Sequence, residues 1–307
     1  MGEVKLVDAT PEQQRERDKA SWSAWGAGLT REQFLTREAR LRAHPWAKRT
    51  MRSLWWVDAS GAPLSSCELF TDTAHLGRHE GRVATIASVF TEEAQRGNGH
   101  AAAMLKQLVH ELSTQGLFAV TLFSEIGVDL YQRVGFWPVP AFDTYFPSSP
   151  TKPEGVEWHE GTLPLPRHGF ADTSTLRVDL SAERLDWHLE RERIYGEVGM
   201  RAALPFHGAS VNETANITWT AYWKTNELQV LTLGVFDSPD TTWAKLIGAA
   251  QYAAHLAGLP VVRVWETIAL PPLPGARRVP RTDEIAMFCP ITPGVQAWTR
   301  VERALWA

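Results

Sequence analysis

The most informative pattern of apolar and polar positions lies between residues 83 and 136. Residues 83–90 (VATIASVF) are a continuous run rich in β-branched and aromatic side chains, with the length of a buried strand. From Ala101 the apolar positions change to helical spacing: Ala101, Met104, Leu105, Leu108 and Leu112 share one face, and Gly116 closes the run. Residues 118–123 read as a second buried strand, and residues 128–136 as a short helix and turn. Upstream, residues 4–7 form a candidate first strand. Pro11 opens a helix reaching about Gly26, and Thr30 with Gln33 makes a capping box for a helix carrying Phe34, Leu35 and Leu41 that Pro45 stops. Residues 51–57 and 64–71 read as strands joined by the turn-forming stretch 58–63, and the turn 77–81 leads into residue 83.

After Phe136 the pattern weakens, and residues 147–155 (PSSPTKPEG) read as a polar proline-rich linker. Beyond it the pattern predicts a charged helix over 181–197, strands over 216–223 and 228–236, and a helix over 242–257 with Trp243, Leu246, Ile247 and Ala250 on one side. Gly258 then precedes a strand over 261–265. Strands followed by strand-loop-helix-strand predict a mixed α/β sheet, of the α+β kind. The same order recurs in the second half, with Asp237-Ser238-Pro239-Asp240 where the first half has glycines. The expected organisation is therefore a domain over 1–147, a linker over 148–156, and a diverged repeat of the first domain over 157–307 that has lost its anion-binding loop.

A length of 307 residues supports two domains, and 44% hydrophobic with 21% charged residues is the composition of a globular protein. A net charge of −4 gives no basic footprint for nucleic acid. Cys67 and Cys289 are too few for a disulfide framework, and no zinc spacing appears. No membrane-spanning run or signal-peptide core is visible, so the expected compartment is the cytoplasm, where the sequons at Asn212 and Asn216 are coincidental. His75 and His79 flank Gly77 and read as loop histidines, with no metal site expected.

Chemistry concentrates at Arg96-Gly97-Asn98-Gly99-His100-Ala101, where the helix begins. A helix start offers unpaired N–H groups and a positive dipole end, and glycines let a phosphate approach the backbone. The loop lacks the Lys-Ser/Thr of a P-loop and the three-glycine Rossmann spacing. With the strand at 118–123 and Tyr131-Gln132-Arg133-Val134-Gly135-Phe136 after it, the stretch resembles the GNAT superfamily of N-acetyltransferases, over roughly residues 5–147. Residues 25–30 (WGAGLT), 37–41 (REARL), 86–91 (IASVFT) and 124–127 (SEIG) look like the fungal-type lysine N6-acetyltransferases, which carry a second C-terminal domain.

The resemblance implies acetyl-CoA as cosubstrate, without a metal. It implies that residues 96–101 hold the pyrophosphate, that Val89 and Thr91 pair by backbone with pantetheine, and that Tyr131 protonates the departing thiolate. An amine attacks only when neutral, and a lysine of pKa about 10.4 needs its proton taken near pH 7. Glu125, just past the second core strand, and Glu68, on the strand before the first, are the candidate bases, with Glu125 first. Backbone N–H groups near Val89 are candidates for oxyanion stabilisation. The acceptor implied is the ε-amine of free L-lysine. A polyamine, another amine-bearing small molecule, and a non-catalytic CoA-binding regulatory module stay open as alternatives, as does a homodimer.

Overall fold

The computed structural model describes residues 4–165, 172–235, 240–266 and 268–306. The chain divides into two units, each assembled from discontinuous stretches: residues 1–140, 170–179 and 282–299 make the first, and residues 141–169, 180–281 and 300–307 the second. This differs from a single cut after residue 147. The proline-rich stretch 148–156 lies inside the second unit, because Phe142–Pro147, directly before it, is already a strand of that unit's sheet.

The first unit opens with the strand Lys5–Asp8 and two helices, Pro11–Trp25 and Arg31–Ala43. Each helix starts at a complete capping box: Thr10 with Gln13, and Thr30 with Gln33, exchange side-chain and backbone hydrogen bonds. Pro45 ends the second helix as expected and also starts another, Pro45–Thr50, since a proline's fixed φ suits a first helical position. The sheet runs Lys5–Asp8, Met51–Val57, Pro63–Leu76, His79–Phe90, Ala119–Ser124, Ile285–Pro290, Trp137–Pro138. Every neighbouring pair in this order is antiparallel except His79–Phe90 with Ala119–Ser124, which is parallel and connected by the helix His100–Ser113. That helix buries Met104, Leu105, Leu108 and Leu112 in a core shared with Leu54, Leu69, Ala84, Ile86, Val120, Leu122 and Met287. At about 1.5–3 kcal/mol for each large apolar side chain removed from water, this face fixes the helix on the sheet.

The second unit's sheet runs Arg277–Pro280, Phe142–Pro147, Val261–Glu266, Glu227–Val235, Ala215–Tyr222, Gly208–Asn212, Glu157–His159. It is antiparallel except at its centre, where Glu227–Val235 and Val261–Glu266 pair parallel through Leu228↔Val262 and Gln229↔Arg263. The helix Asp240–Leu256 connects them and buries Leu246, Ile247, Ala250, Ala253 and Ala254 against Ile217, Trp219, Leu228 and Val262. Both units therefore show the repeated strand-helix-strand order at the centre of a mixed sheet. The expected replacement of the glycine loop at residues 237–239 lies outside the described residues; Asp240 begins the helix.

Candidate active site

The central parallel pair of the first unit is joined only at its beginning. Val83↔Ala119, Ala84↔Val120, Thr85↔Thr121 and Ile86↔Leu122 are in register, and no pairing continues from Ala87 toward Phe90. The reason is on the other side of the strand. Glu68 faces Ala87 but Ser66 faces Phe90, so Ser88 and Val89 together stand opposite Cys67, a β-bulge. Ser88 sits at φ 50°, a left-handed conformation that costs a non-glycine residue about 1–2 kcal/mol. A bulge bends its strand, and beyond Ile86↔Leu122 the two parallel strands share no register pair; this stretch is the wedge between them.

Directly beyond the bulge lies the glycine loop. Gly97 and Gly99 have φ of 81° and 77°, and a Cβ at either would meet nothing within 4 Å. Their requirement is thus for the left-handed backbone, and the space before the loop is open. Gly99 caps the helix without a side chain, so no cap hydrogen bond uses the first-turn N–H groups of His100 and Ala101. A diphosphate is the kind of acceptor such a donor set fits. Arg96 and Asn98 both fold back on the loop: Arg96 Nε donates to the Thr91 carbonyl at 3.1 Å, and Asn98 Nδ2 to the Gln95 carbonyl at 3.2 Å. Their side chains therefore shape the loop, and Arg96 would have to give up this bond to reach a phosphate. Ser65 Oγ donates to the Phe90 carbonyl at 2.9 Å and lies 2.9 Å from Thr91 Oγ1, holding the strand end where Val89 and Thr91 border the opening.

Tyr131 comes from the short helix Asp129–Gln132 and is 6% exposed, edge-on to Phe136 at 6.2 Å between ring centroids. Burial, with the charge of Glu125 and then Cys67 adding to it, pushes its phenol up to about 12. The group keeps its proton across the neutral range and is available as an acid. Glu125 is exposed at the end of Ala119–Ser124, close enough for its charge to act on that phenol. Cys67, fully buried, has its thiol pushed up to about 12 by that burial first of all, so it is no nucleophile.

Glu68 departs from the expectation. Its Oε1 accepts from Arg17 Nη1 at 2.9 Å, its Oε2 accepts from Ser88 Oγ at 2.8 Å, and Arg42 Nη1 stands 3.8 Å away. Burial works to raise its pKa, yet the Arg17 and Arg42 guanidiniums and the Ser88 hydroxyl outweigh it and hold the carboxyl below its usual range. A carboxylate so stabilised and engaged through both oxygens is a poor proton acceptor; its position suits it to holding the bulge. Glu125 remains as the base candidate. Among the described residues no cluster of His, Cys, Asp and Glu suits a metal ion. His75 instead lies 2.8 Å from Asp179.

Arg17 is the residue that sequence reading misses. It sits in the run Arg15-Glu16-Arg17-Asp18-Lys19, which looks like a solvated helix face, yet it is 5% exposed. Besides Glu68 it donates to Ser66 Oγ at 3.2 Å and, through Nη2, to the Ser88 carbonyl at 2.8 Å. A bulge two strands away in sequence is its partner, and no local signal in the helix announces it.

Residues 18–136 match the family model of the GNAT acetyltransferase family, and residues 174–277 match that of the LYC1 GNAT-like C-terminal domain. No curated protein matches the chain. Among solved structures, a conserved protein of unknown function from Enterococcus faecalis V583, described as a probable N-acyltransferase, superposes with a TM-score of 0.61 at 15% identity, over 94% of this chain and 72% of that one. A GCN5-related N-acetyltransferase from Kribbella flavida gives 0.57 at 13% identity, over 94% and 72%. One from Anabaena variabilis ATCC 29413 gives 0.58 at 11% identity, over 94% and 73%. At these identities the likeness is one of fold.

Proposed function

We propose that this chain, whose first half carries a GNAT-family acetyltransferase domain and whose second half carries a GNAT-like domain of the LYC1 C-terminal kind, is an acetyl-CoA-dependent N-acetyltransferase acting on the ε-amine of L-lysine or a similar small amine. The observation that carries this reading is the end of register pairing beyond Ile86↔Leu122, followed by a glycine-capped helix start. Acetyl-CoA, when bound, supplies an acetyl group activated as a thioester. The amides of residues 97–101 hold its diphosphate, and Val89 and Thr91 offer backbone groups to the pantetheine arm.

Direct transfer balances simply. The C–N bond forms as the C–S bond breaks, the amine loses one proton and the departing sulfur gains one. Glu125, directly or through water, accepts the first proton, and Tyr131 delivers the second. The resemblance of residues 25–30 and 37–41 to fungal-type lysine N6-acetyltransferases, together with the second-domain match, supports lysine over other amines.

A thiol-release assay across amines tests the reading. Turnover with lysine, and its absence without acceptor, is expected; activity on spermidine but not lysine removes the lysine assignment. In the same assay Tyr131→Phe is expected to lower kcat by about 100-fold or more, with the calorimetric Kd for CoA unchanged. Equal kcat for the variant removes Tyr131 from its role.

A further inference from the structure

Why the bulge aims a donor into the wedge, and what keeps it there, follows from strand parity. Phe118 N–H donates to the Arg82 carbonyl at 2.8 Å, so even-numbered residues of His79–Phe90 turn toward the Ala119 side and odd-numbered ones toward Pro63–Leu76. Continued without interruption, this alternation would turn Val89 toward Pro63–Leu76. The extra residue changes the phase: Phe90 stands opposite Ser66 as Ala87 stands opposite Glu68, so Phe90 faces that strand and Val89 faces the open edge.

The reversal takes place in one peptide unit, the Ser88 carbonyl with the Val89 N–H. That unit is planar and trans, so fixing the direction of its oxygen fixes the N–H in the opposite direction. The oxygen is the one that Arg17 Nη2 holds, at 2.8 Å, while Ser88 Oγ is tied to Glu68 and Glu68 to Arg17. A guanidinium on the carbonyl also draws electron density from the amide nitrogen, which makes its N–H a stronger donor.

Building on the acetyltransferase reading, we propose that Arg17 is a positioning residue for acyl transfer: clamped to the Ser88 carbonyl and to Glu68, it aims and polarises the Val89 N–H toward the thioester carbonyl oxygen. It touches no substrate and acts through that single peptide unit. Arg42, whose guanidinium is bonded to Asp18 and stands near Glu68, lines the clamp from the second helix.

The test compares wild type with Arg17→Gln, using acetyl-CoA labelled with 13C at the thioester carbonyl. In wild type, the infrared carbonyl stretch of the bound label is expected below its solution frequency. In the variant it is expected to move back toward solution, and kcat to fall about 10- to 100-fold, somewhat less than outright loss of an oxyanion donor. KM for acetyl-CoA and Kd for CoA are expected to stay within twofold. A residue that serves folding alone would lower the melting temperature and leave frequency and kcat of the folded fraction unchanged, which overturns the proposal. If Arg17→Gln does not fold, Arg17→Lys, which keeps a cation beside Glu68 but lacks the second donor toward Ser88, carries the same comparison with the same expectations. A wild-type carbonyl frequency equal to that in solution overturns the proposal without any variant. Should wild type bind acetyl-CoA and turn over while Arg17→Gln matches it, this inference alone fails; should wild type neither bind acetyl-CoA nor release thiol, the acetyltransferase reading fails and takes this inference with it.

Discussion

Single residues in the site divide by whether their task shows in their own type. Gly97 and Gly99 are legible because a turn before a helix with φ near 80° admits little else. Gly99→Ala is expected to cost about 1–2 kcal/mol through the left-handed backbone, with no steric clash to add to it, and to weaken CoA binding by more than it lowers the melting temperature; calorimetry beside thermal melting separates the two. Tyr131 and Glu125 lie where the sequence puts them, after the second central strand. Arg17 and Ser88 are not, because a buried guanidinium and a serine at φ 50° acquire their roles only from a contact 71 positions apart in the chain. Glu68 illustrates the converse: it lies where a base would be useful, but whether a carboxylate is free depends on what surrounds it, which no run of letters displays.

Elements are read best where packing has one period. The helix His100–Ser113 was legible from its apolar face, and Leu108→Ala there is expected to destabilise the first unit by about 2–5 kcal/mol in denaturant titration, since Leu108 is 2% exposed among close neighbours. Phe142–Pro147 escapes such a reading. Its Asp143 and Thr144 are buried, and Asp143 is reconciled to burial by Arg263 and Arg281, from 120 and 138 positions away. Polar letters at core positions erase the alternation that marks a strand. Ile285–Pro290 is too short and too isolated to distinguish from a loop.

A pH dependence also belongs to this scale. His207, between Gly208–Asn212 and the helix Ala182–Gly199, has Nε2 3.1 Å from Glu192 and Nδ1 2.8 Å from the Glu160 carbonyl. Burial works to lower its pKa, but Glu192 and then the Glu160 carbonyl raise it above the usual 6.5. The folded state therefore binds this proton more tightly than the unfolded one. The stability gained is fully present below pH about 6.5 and is lost as pH rises through the raised value. Urea midpoints of the second unit are expected to fall from pH 6 to 9, and His207→Asn to flatten that slope.

For the molecule as a whole, the two halves share an order of elements, with strand, helix and parallel strand at the centre of a mixed sheet. Where Gly99 caps the first unit's central helix, the second unit's begins with Asp240, whose charge opposes a phosphate. Titration with CoA is expected to give one equivalent per chain; two would assign a cofactor site to the second half as well. The pairing of Ile285–Pro290 with Ala119–Ser124 along its full length has a consequence for biosynthesis. While the ribosome is still translating the middle of the chain, the strand that pairs with Ala119–Ser124 has not been made, so Ala119–Ser124 stays a bare edge of the first sheet until residues 285–290 have emerged. A nascent fragment ending at residue 147 should accordingly be caught by chaperones or aggregate, and the addition of a peptide spanning residues 282–299 should restore its solubility.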